Sequence, residues 1–167
     1  MSWPIGRQLD GGLDRITTPD GASDLWLCGK HVVAPDPEAV RADLGPSTYV
    51  VSLNEERDLE RFPGYVDWLR TSRHARWFPM PDFHAPRLAD ALPILQEISG
   101  LLHAGDPVLM HCSAGIGRAG TMAVGTLMML GVPMPEALRQ VASERRGAGP
   151  EAGPQRELII SLAEHLA

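Results

Sequence analysis

A histidine, a cysteine and an arginine frame the run His111-Cys112-Ser113-Ala114-Gly115-Ile116-Gly117-Arg118. The aliphatic residues Val108-Leu109-Met110 lead in and the helix-competent run Thr121 to Leu130 leads out, so the cysteine and two glycines fall on a strand-to-helix turn. Such a turn is an anion site. The first amides of a helix have no intrahelical acceptor and carry the positive end of its dipole, and glycines let the backbone wrap closely round a phosphate. Five residues separate Cys112 from Arg118, enough for the loop to curl and bring a guanidinium fork onto an anion above the sulfur. The same field favours the thiolate, the nucleophilic form of cysteine. A lone cysteine beside a tight turn is otherwise a small buried hydrophobe; here glycine spacing, arginine and context coincide.

A phosphate transferred to Cys112 needs a proton for its leaving oxygen, and water must then be deprotonated to release it. One carboxylic acid can do both in turn. Asp82, in the proline-bounded segment Pro81-Asp82-Phe83-His84-Ala85-Pro86, 30 residues before the cysteine, is the candidate. Asp58 and Asp90 are weaker, Asp58 because it precedes the wrong strand and Asp90 because it already has a capping role. His84 could tune Asp82, and Tyr65, Trp68 and Phe83 are aromatics that could line the rim.

These residues need a scaffold, and composition bounds it. At 167 residues, 44% hydrophobic and 22% charged, the chain reads as a single domain over 1–167, able to bury roughly two-thirds of its unfolded surface without metals or disulfides. Residues 1–24, rich in turn signals, read as an irregular arm. No long apolar run or export signal is visible, and one of only two cysteines looks reactive; both point to a reducing, cytoplasmic setting. The net charge of −6 argues against nucleic acid or a membrane as partner, because both demand a basic footprint. Fourteen arginines against one lysine read as compositional background.

Strand signals fall at Leu25–Gly29, Thr48–Leu53 and Arg76–Met80, the last demoted to an edge by Pro79. Helix signals fall at Pro37–Leu44 behind an Asp36 cap, at Glu55–Phe62 behind Asn54, and at Tyr65–Thr71. A further helix is predicted from an Asp90 cap to Ala104, which puts Pro93 in its first turn. Thr121–Leu130, Pro135 to Gly147 and Gln155–Ala167 complete the set. Alternation of this kind predicts an α/β fold with a central mixed, mainly parallel sheet covered by helices on both faces. Ligands bind such sheets beyond the carboxyl ends of strands, where the cysteine loop lies.

The pattern His-Cys-x-x-Gly-x-x-Arg, the upstream Pro-Met-Pro-Asp-Phe and the Ser-Leu-Asn-Glu-Glu run resemble the cysteine-based protein tyrosine phosphatases, in their dual-specificity branch. The resemblance implies a phosphate monoesterase working through a cysteinyl-phosphate, without metal or cofactor, on a phosphorylated protein. It gives Cys112 the role of nucleophile, Asp82 that of general acid and base, and Arg118 that of phosphate and transition-state ligand. The amides of Ser113, Ala114, Gly115, Ile116, Gly117 and Arg118 become the phosphate cradle. His111 would orient the loop, and Gln155 would position the hydrolytic water. Most members carry Ser or Thr where this chain has Ala119; that hydroxyl helps the sulfur leave, so dephosphorylation is expected to slow unless Ser113 or Thr121 substitutes. Cys28 is a possible partner for oxidised Cys112.

The reading that follows is hydrolysis of phosphotyrosine, with phosphoserine and phosphothreonine as further substrates. A phosphoinositide or RNA 5′-triphosphate substrate is the alternative, although neither Lys nor Arg stands between Cys112 and Arg118. A phosphoprotein-binding module with slow turnover is the alternative of another class. Oligomeric state has no signature in the sequence.

Overall fold

The computed structural model describes residues 12–167. One five-stranded sheet runs through them in the order β1-β2-β5-β3-β4: β1 is Leu13–Ile16, β2 Leu25–Gly29, β3 Tyr49–Ser52, β4 Ala75–Trp77 and β5 Val108–Cys112. Only the β1–β2 pair is antiparallel; β2, β5, β3 and β4 run parallel. The expected mixed, mainly parallel sheet is therefore present, with β4 at its edge.

The central strand β5 is buried along its whole length, and its alternate residues divide the core. Val108, Met110 and Cys112 face a large cluster built with α4 (Leu88–His103), α5 (Arg118–Met129), α6 (Met134–Glu144) and α7 (Gly153–Leu166). Leu109 faces a smaller cluster built with α1 (Lys30–Val33), α2 (Pro37–Leu44) and α3 (Pro63–Thr71). Period-two alternation thus seals both faces and leaves the carboxyl end of β5 to open into the cysteine loop.

Several expected boundaries move. The arm read as irregular over 1–24 contains β1, whose register runs from Leu13↔Cys28 to Ile16↔Leu25; four residues with apolar groups only at the ends show no alternation, and β2 supplies the order. Residues 1–11 of that arm lie outside the described residues. Asn54 caps nothing. The segment after it is a 3₁₀ turn, Glu56–Leu59, closed by reciprocal bonds between Glu55 and Asp58, and Pro63 opens α3 rather than ending the preceding helix. The helix carrying Pro93 begins at Leu88, not after Asp90. Pro93 therefore lies beyond the first turn and removes one backbone bond from α4.

Candidate active site

The cysteine loop is shaped by what its carbonyls do. Ser113 O accepts from the Lys30 amide, Ile116 O from the amides of Gly120 and Gly149, and Gly117 O from Thr121. Ala114 O and Gly115 O accept from the Arg145 side chain at 2.8 and 2.7 Å. Every carbonyl from Ser113 to Gly117 is thus bonded on the outside of the turn. A trans peptide sets its N–H opposite its C=O, so the amides of Ala114 to Arg118 are turned toward the inside. Gly115 adopts φ +72°, and a Cβ there would meet the Cys28 carbonyl oxygen at 2.3 Å. Only glycine fits this bend.

Arg145, fully buried at the end of α6, was not singled out by the sequence. Its guanidinium also reaches Gly12 O and the Asp14 carboxylate, at 3.1 and 2.9 Å. Its identity as an arginine next to Arg146 carries no local signal; the role emerges only when β1 and the loop meet.

Cys112 ends β5 and is 3% exposed. Arg118, the first residue of α5, is 2% exposed. Its Nη1 donates to Asp58 Oδ2 and to Met80 O, both at 2.9 Å, and its Nη2 to Ser113 Oγ at 3.3 Å. Its Nε is buried without a hydrogen bond, and Asp82 Oδ1 lies 3.6 Å away. The structure thus brings two of the expected site residues, Asp82 and Ser113, onto a third, Arg118, at the far end of the loop that Cys112 opens. Asp82 is on an exposed loop, and its Oδ1 accepts from the Phe83 amide at 2.9 Å.

Asp58, ranked below Asp82 in the sequence, braces the arginine. Burial alone would raise its carboxyl, but the Arg118 guanidinium, the Glu55 amide and Asn54 outweigh burial and hold it below the usual range. Asn54 bridges the two sides of the site, donating to Asp58 at 3.3 Å and to Ser113 Oγ at 3.0 Å. The bond to Asp58 is local, whereas the bond to Ser113 depends on β3 and β5 being neighbours and so has no signal in the local sequence.

His111 is buried as expected and touches the Tyr65 hydroxyl through Nε2 at 2.5 Å. Burial pushes His111 down to about 3 and pushes the Tyr65 phenol well above its ordinary value. A neutral imidazole and a neutral phenol therefore share one hydrogen beneath the loop. Tyr65 belongs to the core and not to the rim, whereas Phe83 is exposed. Thr121 Oγ1 is buried with no hydrogen-bond partner among the described residues.

Gln155 is buried, and both ends of its amide are taken. Its Oε1 accepts from the Glu151 amide at 2.7 Å and its Nε2 donates to His84 O at 3.4 Å. It ties the α6–α7 loop to the loop carrying Asp82. Cys28 pairs with His111 across β2 and β5 and packs with Leu109 on the α3 side, while Cys112 packs on the α5 side. The two sulfurs leave opposite faces of the sheet.

A family model described as "Polymorphic toxin system, DSP-PTPase phosphatase" matches residues 48–132. That is half of the chain, and it includes the whole cysteine loop. The chain belongs to the dual-specificity-like branch of the cysteine-based phosphatases. It is also similar to the solved structure of Tk-PTP in the active form, at 30% identity over 87% of this chain and 93% of that one, with a TM-score of 0.65. Two more distant structures share its fold: kinase associated phosphatase, at 18% identity over 92% and 94% of the two chains with a TM-score of 0.74, and PTPMT1 in complex with PI(5)P, at 17% over 90% and 95% with a TM-score of 0.67. This phosphatase is therefore a hydrolase of phosphate esters. No helix among its described residues is long and apolar enough to cross a membrane.

Proposed function

We propose that this phosphatase hydrolyses phosphotyrosine in proteins, with phosphoserine and phosphothreonine as further substrates, in a reducing, cytoplasmic setting. The observation that carries the reading is the outward bonding of every carbonyl from Ser113 to Gly117, which turns the amides of 114–118 to the inside of the loop that Cys112 opens. In the first half-reaction the Cys112 thiolate attacks phosphorus, an S–P bond forms and the P–O bond to the leaving group breaks. The amides and the free Nε of Arg118 hold the equatorial oxygens as charge builds on them. Asp82 protonates the departing oxygen. In the second half-reaction water attacks phosphorus, the S–P pair returns to Cys112, and Asp82 takes the water's proton.

A loop without lysine or arginine between Cys112 and Arg118 supports a substrate carrying one phosphate rather than a polyanion. The test is a panel of phosphotyrosine, phosphothreonine, phosphoinositide and RNA 5′-triphosphate substrates with wild type and Cys112→Ser. Phosphotyrosine turnover that vanishes with the serine is expected. Turnover that survives Cys112→Ser overturns the mechanism, and a preference for phosphoinositide or RNA overturns the substrate class.

A further inference from the structure

Lys30, the chain's single lysine, has its two ends on the two halves of the site. It follows Gly29, whose register partner across β2 and β5 is Cys112. Its amide donates to Ser113 O at 3.2 Å, on the outside of the cysteine loop. Its Nζ donates to Asp58 O at 2.8 Å, on the 3₁₀ turn that braces Arg118. The far side of that turn is not packed solid: a cleft of about 330 Å³ opens between the turn and α3, with Leu59 and Val66 in its lining. Lys30 therefore joins the loop that cups phosphate to the residue that holds its arginine, on a turn with room to shift away.

Charge gives the contact a second effect. Asp58 brings a carboxylate to Arg118 at 2.9 Å, and that pair by itself is neutral, a poor match for a phosphate ester carrying close to two negative charges. The Lys30 ammonium bonds the carbonyl of the same aspartate and forms no ion pair with a carboxylate among the described residues, so its charge is left over. Lys30, Arg118 and Asp58 together carry one net positive charge beside the loop. The field is felt beneath the loop: burial is the main reason that His111 stays neutral, and the charges of Arg118 and Lys30 add to it.

We propose that Lys30 is a positioning residue for phosphoryl transfer: it holds Asp58, and through it Arg118, against the cysteine loop, and its charge offsets the carboxylate that the brace brings to the arginine. The proposal rests on the reading above of Arg118 as the ligand of the transferring phosphate. Lys30 acts through Asp58 and Arg118 rather than on the reacting atoms, and its amine keeps its proton throughout. Its effect falls on the equatorial oxygens, where charge builds as the S–P bond forms. The transition state therefore gains more from Lys30 than bound phosphate does.

The test is a double-variant cycle on Lys30 and Asp58 with para-nitrophenyl phosphate as substrate. Lys30→Met should lower kcat/KM by about tenfold and weaken vanadate by a similar factor, while inorganic phosphate weakens by no more than about threefold. In an Asp58→Asn protein the same change should cost less than about threefold, because the tie and the carboxylate it offsets both act through Asp58. Lys30→Arg keeps a cation and a donor and should stay within about threefold of wild type. Lys30→Gln keeps a polar end without the charge; it should behave as Lys30→Met does and takes its place if the methionine protein does not fold. An unchanged kcat/KM in the uncharged variants, an equal weakening of vanadate and phosphate, a loss repeated in full on Asp58→Asn, or a loss as large in Lys30→Arg overturns the role of Lys30 alone. Turnover that survives Cys112→Ser overturns the cysteinyl-phosphate reading on which the role rests.

Discussion

Arg118 and Asp58 meet through a single charge-assisted bond, Nη1 to Oδ2 at 2.9 Å, with the arginine side chain 1% and the aspartate side chain 21% exposed. The bond fixes the guanidinium plane; with Met80 O it commits both N–H groups of Nη1, Ser113 Oγ takes one of Nη2, and Nε and the second N–H of Nη2 have no hydrogen-bond partner among the described residues. A planar donor held on three sides has little rotational freedom left to lose when a phosphate arrives.

Asp58→Asn removes that charge while keeping the shape. Loss of a charge-assisted bond is worth about 1.5–3 kcal/mol, so kcat/KM for an aryl phosphate should fall roughly 10- to 100-fold. The affinity for vanadate, which takes the geometry of the transition state, should fall with it. Unchanged vanadate inhibition in Asp58→Asn would show that Arg118 is positioned without it.

Asp82→Ala should discriminate between leaving groups. An alkyl phosphate needs a proton donor as its P–O bond breaks, and its turnover should drop by about 10²–10⁴. A phenol that leaves readily as an anion needs less help, and its turnover should drop far less. Equal losses for both classes would assign Asp82 to something other than proton transfer.

Arg145→Met strips the outside support from Ala114 O and Gly115 O and removes the guanidinium that Asp14 pairs with at 2.9 Å. Breaking a buried pair from one side costs about 3–5 kcal/mol, to be read as a shift in urea midpoint. The double variant Asp14→Asn/Arg145→Met should recover part of the stability but not the activity, since the loop carbonyls still lack their donor. Recovery of both would make the pair purely structural.

His111 makes stability depend on pH. Its folded value is about 3 against roughly 6.5 in the unfolded chain. The unfolded state therefore takes up a proton below about 6.5 that the folded state refuses. Its contribution is complete above that pH and is lost progressively as pH falls toward 3. Thermal melts of wild type and His111→Asn at pH 7.5 and 4.5 should show the gap between them narrowing in acid. A constant gap would mean that the imidazole is not the group responsible.

Gly120→Ala places a methyl group against the backbone nitrogen of Gly149, at 2.2 Å. Backbone cannot swing aside as a side chain can, so overpacking should cost about 1–3 kcal/mol and push the α6–α7 loop off the cradle. Denaturant midpoints and kcat should fall together. Full activity in this variant would show that the loop can be displaced without consequence.

The cysteine loop, the loop carrying Asp82 and the helices behind them were legible as elements because each is written in neighbouring residues: an aliphatic run, a glycine spacing, a proline pair, an Asp36 cap whose Oδ1 accepts from Ala39. Asn54, Asp58 and Arg145 were not, for a shared reason. Each acts on a partner 59 to 131 positions away, and no local periodicity encodes a contact made by tertiary packing. Gln155 shows the mixed case. Its place near the site could be read, but whether its amide was free depended on Glu151 and His84. Strand β1 was missed because its order is borrowed from β2, and Pro93 was placed too early in α4 because Asp90 is a better cap by type than Arg87, where the helix starts.

The tie between Asp14 and Arg145 joins residues 131 positions apart, and it stands directly behind the loop that cups phosphate. Closing so long a segment comes only after much of the chain between has ordered. The cradle is in this sense the keystone of the molecule: partly folded chains carry the nucleophilic sulfur without the ring of amides that would arm it. Hydrogen exchange should accordingly report the amides of 114–118 opening together with β1, so that fraying at the amino-terminal edge disarms the enzyme before the sheet beneath it gives way.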